Sequence, residues 1–288
     1  MFKRVMVAVV GLPLLILILG WAPSWATMLL LAAMCAIGAW ELMRAAAGER
    51  GKPLTPLTVI AAAAVPVCVY GEMSIENTEL TALPVLPFAA LLGAVFIFAI
   101  FALAIHRYDE EQGIPFAAVT CAIFAGLAFP LMFSCLLRLR MMPAIGMLQV
   151  FLPLAISFGS DTFALFAGML CGKHKLAPKV SPKKTVEGLI GGVLSSVIIL
   201  QLVGLIFTYG IYGGERQANW LSLFIIGFFG AFVSVLGDLS FSLIKRSCHI
   251  KDFGSVIPGH GGILDRFDSV IFTAPFVYMV TMLLPIVS

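Results

Sequence analysis

Long apolar segments run through nearly the whole chain of 288 residues and constrain its fold more than any other feature. A bilayer's hydrocarbon core is about 30 Å thick, and a helix crosses it with about 20 apolar residues. Nine such segments occur, at about 5–22, 25–47, 54–71, 81–105, 114–136, 144–170, 187–209, 219–244 and 268–287. Because lipid cannot hydrogen-bond exposed backbone, each is predicted to be a helix. The sequence therefore predicts an all-α, polytopic integral membrane protein with about nine transmembrane helices.

Composition excludes a soluble enzyme. Only 11% of the residues are charged, whereas soluble domains carry about 25%. The spans leave no room for a separate soluble domain, so we expect one continuous membrane domain. Within it, residues 1–136 are predicted to form a scaffold that supplies dimer contacts, and residues 137–288 a catalytic region. The net charge of +3 is small, and no nucleic-acid partner is expected.

Neither the cysteines nor the N-terminal segment predicts a disulfide, a metal site or a cleaved signal. None of the six cysteines forms a C-x-x-C pair, so we interpret them as small apolar residues, not as disulfides or a zinc site. A second apolar segment follows the first after only Pro23 and Ser24. This spacing favours an uncleaved first span over a signal peptide.

Basic residues predict the orientation, because lysine and arginine concentrate on the cytoplasmic side. With nine spans and the N-terminus inside, fifteen of the eighteen lie inside; the exceptions are Arg138, Arg140 and Arg216. The first two make the span at 114–136 a candidate for a broken or re-entrant helix. We therefore expect a multi-pass protein of the cell inner membrane with its C-terminus outside. The polar segments 171–186 and 245–267 then share the cytoplasmic face, where nucleotides are found.

Residues 171–188 form a polar segment with five lysines. Ser181 is a good N-cap and Pro182 fits a first helical position, so a helix is predicted to begin here. Lys183 and Lys184 would then lie in its first turn, where cations are unfavourable unless an anion binds. We interpret both as phosphate-binding residues. The alternative is a basic anchor that fixes only the topology.

Asp161 lies inside the sixth apolar segment. An ionisable residue within a span is costly and marks a functional site. Ser157 and Ser160 occupy adjoining helical positions and are expected to help solvate its carboxylate. The alternative is a protonated or hydrogen-bonded structural acid.

Asp238 lies inside the eighth apolar segment and shares one helix face with Ser242 and Lys245, at spacings of four and seven residues. An aspartate and a lysine seven residues apart cannot form a direct ion pair. We therefore interpret this face as a wet cleft in which Asp238 holds a cation and Lys245 lies nearer the surface.

The segment from His260 to Asp268 joins a glycine turn to two carboxylates. Gly261 and Gly262 predict a tight turn with exposed backbone N–H groups. Asp265 and Asp268 are three residues apart at the start of the last span, so they point the same way. Two close carboxylates repel unless a cation lies between them, and oxygen ligands suit Mg²⁺ rather than zinc. Helix capping explains Asp265 alone, but not the whole cluster.

Residues 242–268 read S-L-I-K-R-S-C-H-I-K-D-F-G-S-V-I-P-G-H-G-G-I-L-D-R-F-D. This segment resembles the signature of the phosphatidate cytidylyltransferase (CDP-diglyceride synthase) family. The matching positions are Ser242, Lys245, Arg246, Lys251, Asp252, Gly254, Ile257, Pro258, His260, Gly261, Gly262, Asp265, Arg266 and Asp268. The resemblance extends to D-T-F-A at Asp161 and S-P-K-K-T-V-E-G at 181–188. It covers the C-terminal half, whereas the N-terminal half is similar only in its apolar pattern.

The resemblance implies an enzyme that joins CTP and phosphatidic acid into CDP-diacylglycerol and releases pyrophosphate. It also implies Mg²⁺ dependence, a homodimer, and metal-binding acids at Asp238, Asp265 and Asp268. Such chemistry needs mainly positioning and charge neutralisation. We expect Asp238, Asp265, Lys245 and Arg266 to be catalytic. We expect the substrates to be bound by Asp161, Lys183, Lys184, Ser242, Arg246, Lys251, His260, Gly261 and Gly262.

Two alternatives remain open. One is a kinase or cytidylyltransferase acting on a polyprenyl or other lipid phosphate, which substrate competition would separate. The other is a secondary transporter, because acids within spans and interrupted helices also mark transport paths. Against transport, the polar residues collect at one face and the sequence has no repeated half.

Overall fold

The computed structural model describes residues 11, 13–76, 87–108, 113–143, 145–211, 213–256 and 261–287, and most of them are helical. The helices are α1 (Ser24–Ala46), α2 (Gly48–Gly51), α3 (Thr55–Glu76), α4 (Phe88–His106), α5 (Phe116–Ile123), α6 (Phe129–Met141), α7 (Gly146–Cys171), α8 (Val186–Leu205), α9 (Trp220–Ser247) and α10 (Leu264–Leu283). The two strands are β1 (Lys175–Ala177) and β2 (Ser181–Thr185). A 3₁₀ turn at Lys52–Leu54 precedes α3, and π-helical turns at Phe124–Ala128 and Ile206–Ile211 follow α5 and α8.

The described helices confirm an all-α membrane fold. Eight helical stretches within the described residues are long and apolar enough to cross a bilayer. The first predicted segment, 5–22, lies partly outside the described residues, and residues 13–20 are helical. The count of nine spans and their orientation therefore stay predictions.

The chain divides into two compact units. The first unit comprises Met1–Pro143 and Ser247–Arg266, and the second comprises Ala144–Arg246 and Phe267–Ser288. The predicted division of roles between residues 1–136 and 137–288 is functional and stays a prediction.

In the first unit, the span predicted at 114–136 is continuous, so the expectation of a broken or re-entrant helix is wrong. Helical structure runs from Phe116 to Met141, with the π-helical turn at Phe124–Ala128 inside it. A π-helical turn adds one residue to a helical turn without ending the helix.

The two arginines at the end of this stretch have structural partners in the first unit. Arg138 donates to Glu72 at 2.7 Å, and the other oxygen of Glu72 accepts the amide of Ala89 at 2.7 Å. Arg140 donates to the carbonyls of Gly20 and Ala22, at 3.1 and 3.3 Å. Both arginines therefore satisfy polar groups at helix ends, which is a reason for their presence that is independent of topology.

In the second unit, α7 and α8 approach each other through small residues. A Cβ added to Gly191 would lie 2.4 Å from the Cβ of Ala167, and one added to Gly188 would lie 2.7 Å from the carbonyl oxygen of Ala164. Helices in lipid associate through such close contacts, because the hydrophobic effect does not drive them together there.

A β-hairpin, and not a helix start, precedes α8. β1 and β2 are antiparallel, with Lys175 paired to Thr185 and Ala177 to Ser181. Helix α8 begins at Val186, and the side chain of Thr185 caps it by accepting the amide of Gly188 at 3.1 Å. The prediction that a helix begins at Ser181 is therefore wrong. Thr185 is also a good N-cap residue, and the residues before it pair with β1 instead of joining the helix.

The contact at Gly191 yields a test of the second unit. We expect Gly191→Ala to lower the free energy of unfolding by about 1–3 kcal/mol, because the added methyl group overpacks the α7–α8 contact. Gly71→Ala in α3 is the matched control, since its added Cβ would meet no atom closer than 3.8 Å. The measurement is the unfolding midpoint in detergent. Equal midpoints for the two variants would contradict the close approach of α7 and α8.

Candidate active site

The second unit contains a cavity of about 630 Å³ whose wall combines charged and apolar side chains. The charged residues are Asp161, Lys175, Lys183, Lys184 and Asp238, and the apolar part of the wall includes Ala164, Leu165, Met169, Leu176, Leu189 and Val235. Three of the residues predicted from the sequence to bind substrate, and one predicted to be catalytic, therefore line one cavity.

An ion pair between Asp238 and Lys184 lies at the centre of this group. The Lys184 Nζ contacts Asp238 Oδ2, and the two side chains are only 24% and 21% exposed for the acid and the base. Ser242 donates to Asp238 Oδ1 at 3.2 Å, as its position four residues later on α9 allows. Asp238 is expected from the sequence to hold a metal ion, which stays a prediction, and in this structure its ionic partner is Lys184 of β2. Sequence spacing could not identify this partner, because it comes from a distant strand.

The hairpin places its two neighbouring lysines differently. Successive side chains of a strand point to opposite faces, and Lys183 is exposed while Lys184 is half-buried. Neither lies in the first turn of a helix, so the expected conflict with a helix dipole does not exist. Within the part of the chain that the structure describes, Lys183 forms no ion pair. It is the basic residue of β2 that remains for an anionic ligand in the cavity.

Contacts at both ends hold the hairpin in place. His174 Nδ1 lies 2.7 Å from Glu187 Oε1, and the amide of Val186 donates to the carbonyl of His174 at 2.9 Å. At the turn, Arg246 Nε donates to the carbonyl of Val180 at 3.4 Å. Arg246, predicted to bind substrate, therefore also fastens the segment that carries the lysines.

Asp161 is solvated by a residue that the sequence analysis missed. Ser269 donates from Oγ to Asp161 Oδ2 at 3.2 Å. The expectation that Ser157 and Ser160 solvate Asp161 is wrong. Ser157 instead bonds Thr273 at 2.9 Å, and Ser160 bonds Ser234 at 3.1 Å. Those two bonds tie α7 to α10 and α9, so the serines hold the helices that carry the site.

Asp268 completes a group of acids in the second unit. It is 9% exposed, and its Oδ1 accepts the amide of Ser269 at 2.8 Å. Asp238, Asp161 and Lys245 are all near enough to Asp268 to interact with it electrostatically.

Gly237 allows the approach of α9 and α10 beside this group. A Cβ there would lie 2.8 Å from the carbonyl oxygen of Asp268 and 3.1 Å from the Cα of Ser269. Any larger residue would push apart the segments that carry Asp238 and Asp268.

The donor set of this group fits Mg²⁺ bound together with a phosphate ligand. Its carboxylates are those of Asp161, Asp238 and Asp268, and the nearby lysines include Lys184 and Lys245. Among the described residues, no three acids, histidines or cysteines are placed to hold a metal ion by themselves. Mg²⁺ normally binds through one or two carboxylates, and water and substrate phosphates complete its coordination.

The first unit holds the glycine turn, and Asp265 closes it. Asp265 Oδ2 accepts the amides of Phe253 at 2.8 Å and Gly262 at 3.0 Å. Gly261 has a φ of 92°, which favours glycine. The expectation of exposed N–H groups is wrong for Gly262, because the acid that follows it takes that donor. Lys251 and Arg266 are exposed, and His260 lies outside the described residues.

Glu41 of α1 is the residue of this turn that the sequence analysis missed. Its side chain is fully buried and accepts the amides of Ile263 and Leu264, each at 3.1 Å. The signal was present, because Glu41 is an acid inside an apolar segment, as Asp161 is.

Comparison with known proteins gives one consistent result. The sequence model of the family described as "Cytidylyltransferase family" matches residues 2–284. A phosphatidate cytidylyltransferase of Rickettsia bellii is 36% identical over 189 residues, which are 66% of this chain and 81% of the relative. That of Bacillus subtilis is 32% identical over 184 residues, 64% of this chain and 66% of the relative. That of Rickettsia typhi is 48% identical over 128 residues, 44% of this chain and 56% of the relative.

The Asp238–Lys184 pair can be tested by stability alone. We expect Asp238→Asn and Lys184→Met each to lower the unfolding midpoint, because each leaves a half-buried charge without its partner. The double variant should lose less than the sum, with a coupling of about 0.5–3 kcal/mol. Lys183→Met, next to it on β2, is the control and should change stability by less than about 0.5 kcal/mol. Additive losses would mean that the pair does not form.

Proposed function

Because the chain belongs to the cytidylyltransferase family, we propose that it transfers the cytidylyl group of CTP to phosphatidic acid, giving CDP-diacylglycerol and pyrophosphate. The observation that carries this proposal is the cavity of the second unit, where lysines, acids and an apolar wall meet between membrane helices. Lysines suit the phosphates of both substrates, and an apolar wall suits the acyl chains of the lipid. Both kinds of surface are required when the acceptor is a lipid phosphate.

The apolar wall suits the acyl part of the lipid. Leu165 and Met169 line the cavity and are 59% and 66% exposed on α7, a helix long and apolar enough to cross the bilayer. Acyl chains gain by staying in contact with such surface instead of water. The lipid phosphate would then lie toward the charged part of the cavity, with Lys183 and Lys175 as its nearest candidates for charge neutralisation.

The reaction needs no strongly activated nucleophile, because the lipid phosphate is already an anion. One of its oxygens attacks the α-phosphorus of CTP and forms the new P–O bond. The bond from the α-phosphorus to the bridging oxygen breaks, and pyrophosphate leaves with that electron pair. Catalysis then consists of placing the two substrates in line and neutralising the charge that moves to the leaving group.

The charged residues of the second unit have different proposed roles in this reaction. Lys184 is fixed by Asp238, so its ammonium group is oriented before substrate arrives. Such preorganised charge stabilises a transition state without reorganisation. Lys183 and Lys245 are the further cations proposed to act on phosphate oxygens. Asp161 lines the cavity and accepts a hydrogen bond from Ser269, and it is proposed to orient the bound substrate.

Mg²⁺ is the proposed cofactor, with Asp238 and Asp268 as its ligands in the second unit and Asp265 as the further acid expected from the sequence. When bound, the ion would neutralise part of the triphosphate charge and polarise the phosphoryl group under attack.

The location and assembly belong to the same proposal. The family resemblance and the distribution of basic residues support an inner-membrane enzyme whose cavity faces the cytoplasm, where CTP is made. The family resemblance also supports a homodimer. Crosslinking in native membranes would test the dimer, and labelling of single cysteines from each side would test the orientation.

Nucleotide choice is the first test of the proposed reaction. We expect pyrophosphate release from purified protein only when phosphatidic acid, CTP and Mg²⁺ are all present. Excess chelator should abolish it, because a triphosphate's charge needs a hard cation. Release of pyrophosphate in detergent, with no second compartment, also excludes pure transport. Equal turnover with ATP, or full activity in chelator, would refute the assignment.

The acids provide a second test. We expect Asp238→Asn and Asp265→Asn each to lower kcat/KM by about 100-fold or more, as the loss of one electrostatic group at a reacting centre does. Glu215→Gln is the control, because this acid lies exposed in the loop before α9. Steady-state kinetics measure the loss, and the unfolding midpoint establishes that each variant is folded. Near-normal activity of Asp238→Asn would leave Asp238 with a structural role only.

A further inference from the structure

We propose that Glu41 is a positioning residue for this reaction, because its buried carboxylate holds the glycine turn and the start of α10 in the shape that orients Asp265. The inference rests on the proposed function for what Asp265 does. That Glu41 binds the turn follows from the geometry of the first unit alone.

The Glu41 carboxylate caps the beginning of α10. The first amides of a helix have no partner within it, and here Glu41 Oε1 accepts the amide of Ile263 and Oε2 that of Leu264, each at 3.1 Å. A carboxylate is favoured at this end of a helix by the helix dipole. Each oxygen has one amide, so the contact needs both oxygens of an acid.

Two glycines of the motif leave the space that this carboxylate fills. A Cβ on Gly262 would lie 2.4 Å from Glu41 Oε1, and a Cβ on Gly254 would lie 2.5 Å from the same atom. All three nearest atoms to the added Cβ at Gly254 belong to Glu41. The closest contact of a side chain at Gly254 would therefore be with Glu41, and the backbone angle there does not itself call for glycine.

The same turn fixes Asp265. Successive amides are divided between two acids: Gly262 donates to Asp265, whereas Ile263 and Leu264 donate to Glu41. Asp265 Oδ2 also accepts the amide of Phe253, which closes the loop that contains Gly254. If Glu41 releases its two amides, the turn loosens and the orientation of the Asp265 carboxylate is no longer defined.

Glu72 provides a matched control within the same unit. It too is a buried glutamate, 8% exposed, and it accepts a backbone amide, that of Ala89. Its second oxygen accepts from Arg138, and its hydrogen bonds to described residues do not involve the glycine turn. Substitution of Glu72 therefore reports what the loss of a buried carboxylate does to the fold in general.

The first experiment compares Glu41→Gln with Glu72→Gln. A glutamine at 41 can accept one amide, but its NH₂ group would face the other donor. We expect faster hydrogen–deuterium exchange over 253–266. We expect kcat to fall by about tenfold, which corresponds to one lost hydrogen bond of about 1.4 kcal/mol. The Mg²⁺ concentration needed for half-maximal activity should rise. The KM for CTP should change little. Glu72→Gln should change neither the exchange of this segment nor the Mg²⁺ requirement.

The second experiment is a rescue that holds even where the glutamine variant folds poorly. Gly254→Ala should be harmful in the parent, because its methyl group meets the Glu41 carboxylate. Glu41→Asp shortens the acid by one methylene and makes room for that methyl group. The double variant should therefore exceed, in kcat and in exchange protection of 253–266, the product of the two single effects. Gly254→Ala combined with Glu72→Asp should be multiplicative.

The outcomes separate the two proposals. If Glu41→Gln behaves as Glu72→Gln does, or if the rescue is absent, the positioning role of Glu41 is refuted whatever the reaction is. If the parent protein makes no CDP-diacylglycerol, the proposed function fails and the catalytic part of this inference fails with it. The exchange data would still decide whether Glu41 holds the turn.

Discussion

The absence of water from the hydrocarbon region is the constraint on which the rest of this structure depends. Backbone polar groups within a span must find their partners inside the protein, and a buried polar side chain without a partner is costly. The serine and threonine bonds among α7, α9 and α10, the Arg138–Glu72 pair and the amides held by Glu41 all answer the same requirement. The candidate site is the place where acids and lysines meet at one cavity, and there Lys184 and Asp238 are paired with each other.

The lysines of the cavity differ in how much of their charge is available to a ligand. Lys184 and Asp238 neutralise each other, so a triphosphate that approaches the cavity meets one ion-paired lysine and two exposed lysines, Lys175 and Lys183. The ion pair weakens the attraction of Lys184 for the substrate, but it fixes the position of the Lys184 ammonium group. The pair also satisfies the half-buried acid within the protein, because a carboxylate there without its partner is costly.

Much of the fold followed from the sequence, because apolar length and polar interruption are local signals. The eight spans and the acids at Asp161 and Asp238 were found in this way. The hairpin was not, because Ser181-Pro182 and Thr185 are competing helix starts only four residues apart, and strand pairing between 175 and 185 decides between them. Ser269 and the Lys184 partner of Asp238 were also missed, because each contact joins residues far apart in sequence. Glu41 had a local signal, an acid inside an apolar segment, but its partners at 263 and 264 are equally distant. Sequence spacing describes neighbours on one element, whereas these contacts depend on how different elements pack.

The alternation of β2 has a consequence for how this chain can vary in length. Lys183 and Lys184 differ by one position and face opposite sides of a two-stranded ribbon. A single insertion or deletion between 181 and 185 would exchange their two environments and turn the ion-paired ammonium group outward. The turn at 178–180 carries no such restriction, because added residues there leave the pairing of the strands unchanged. Changes in length that preserve both lysine environments are therefore expected at this turn and not within β2.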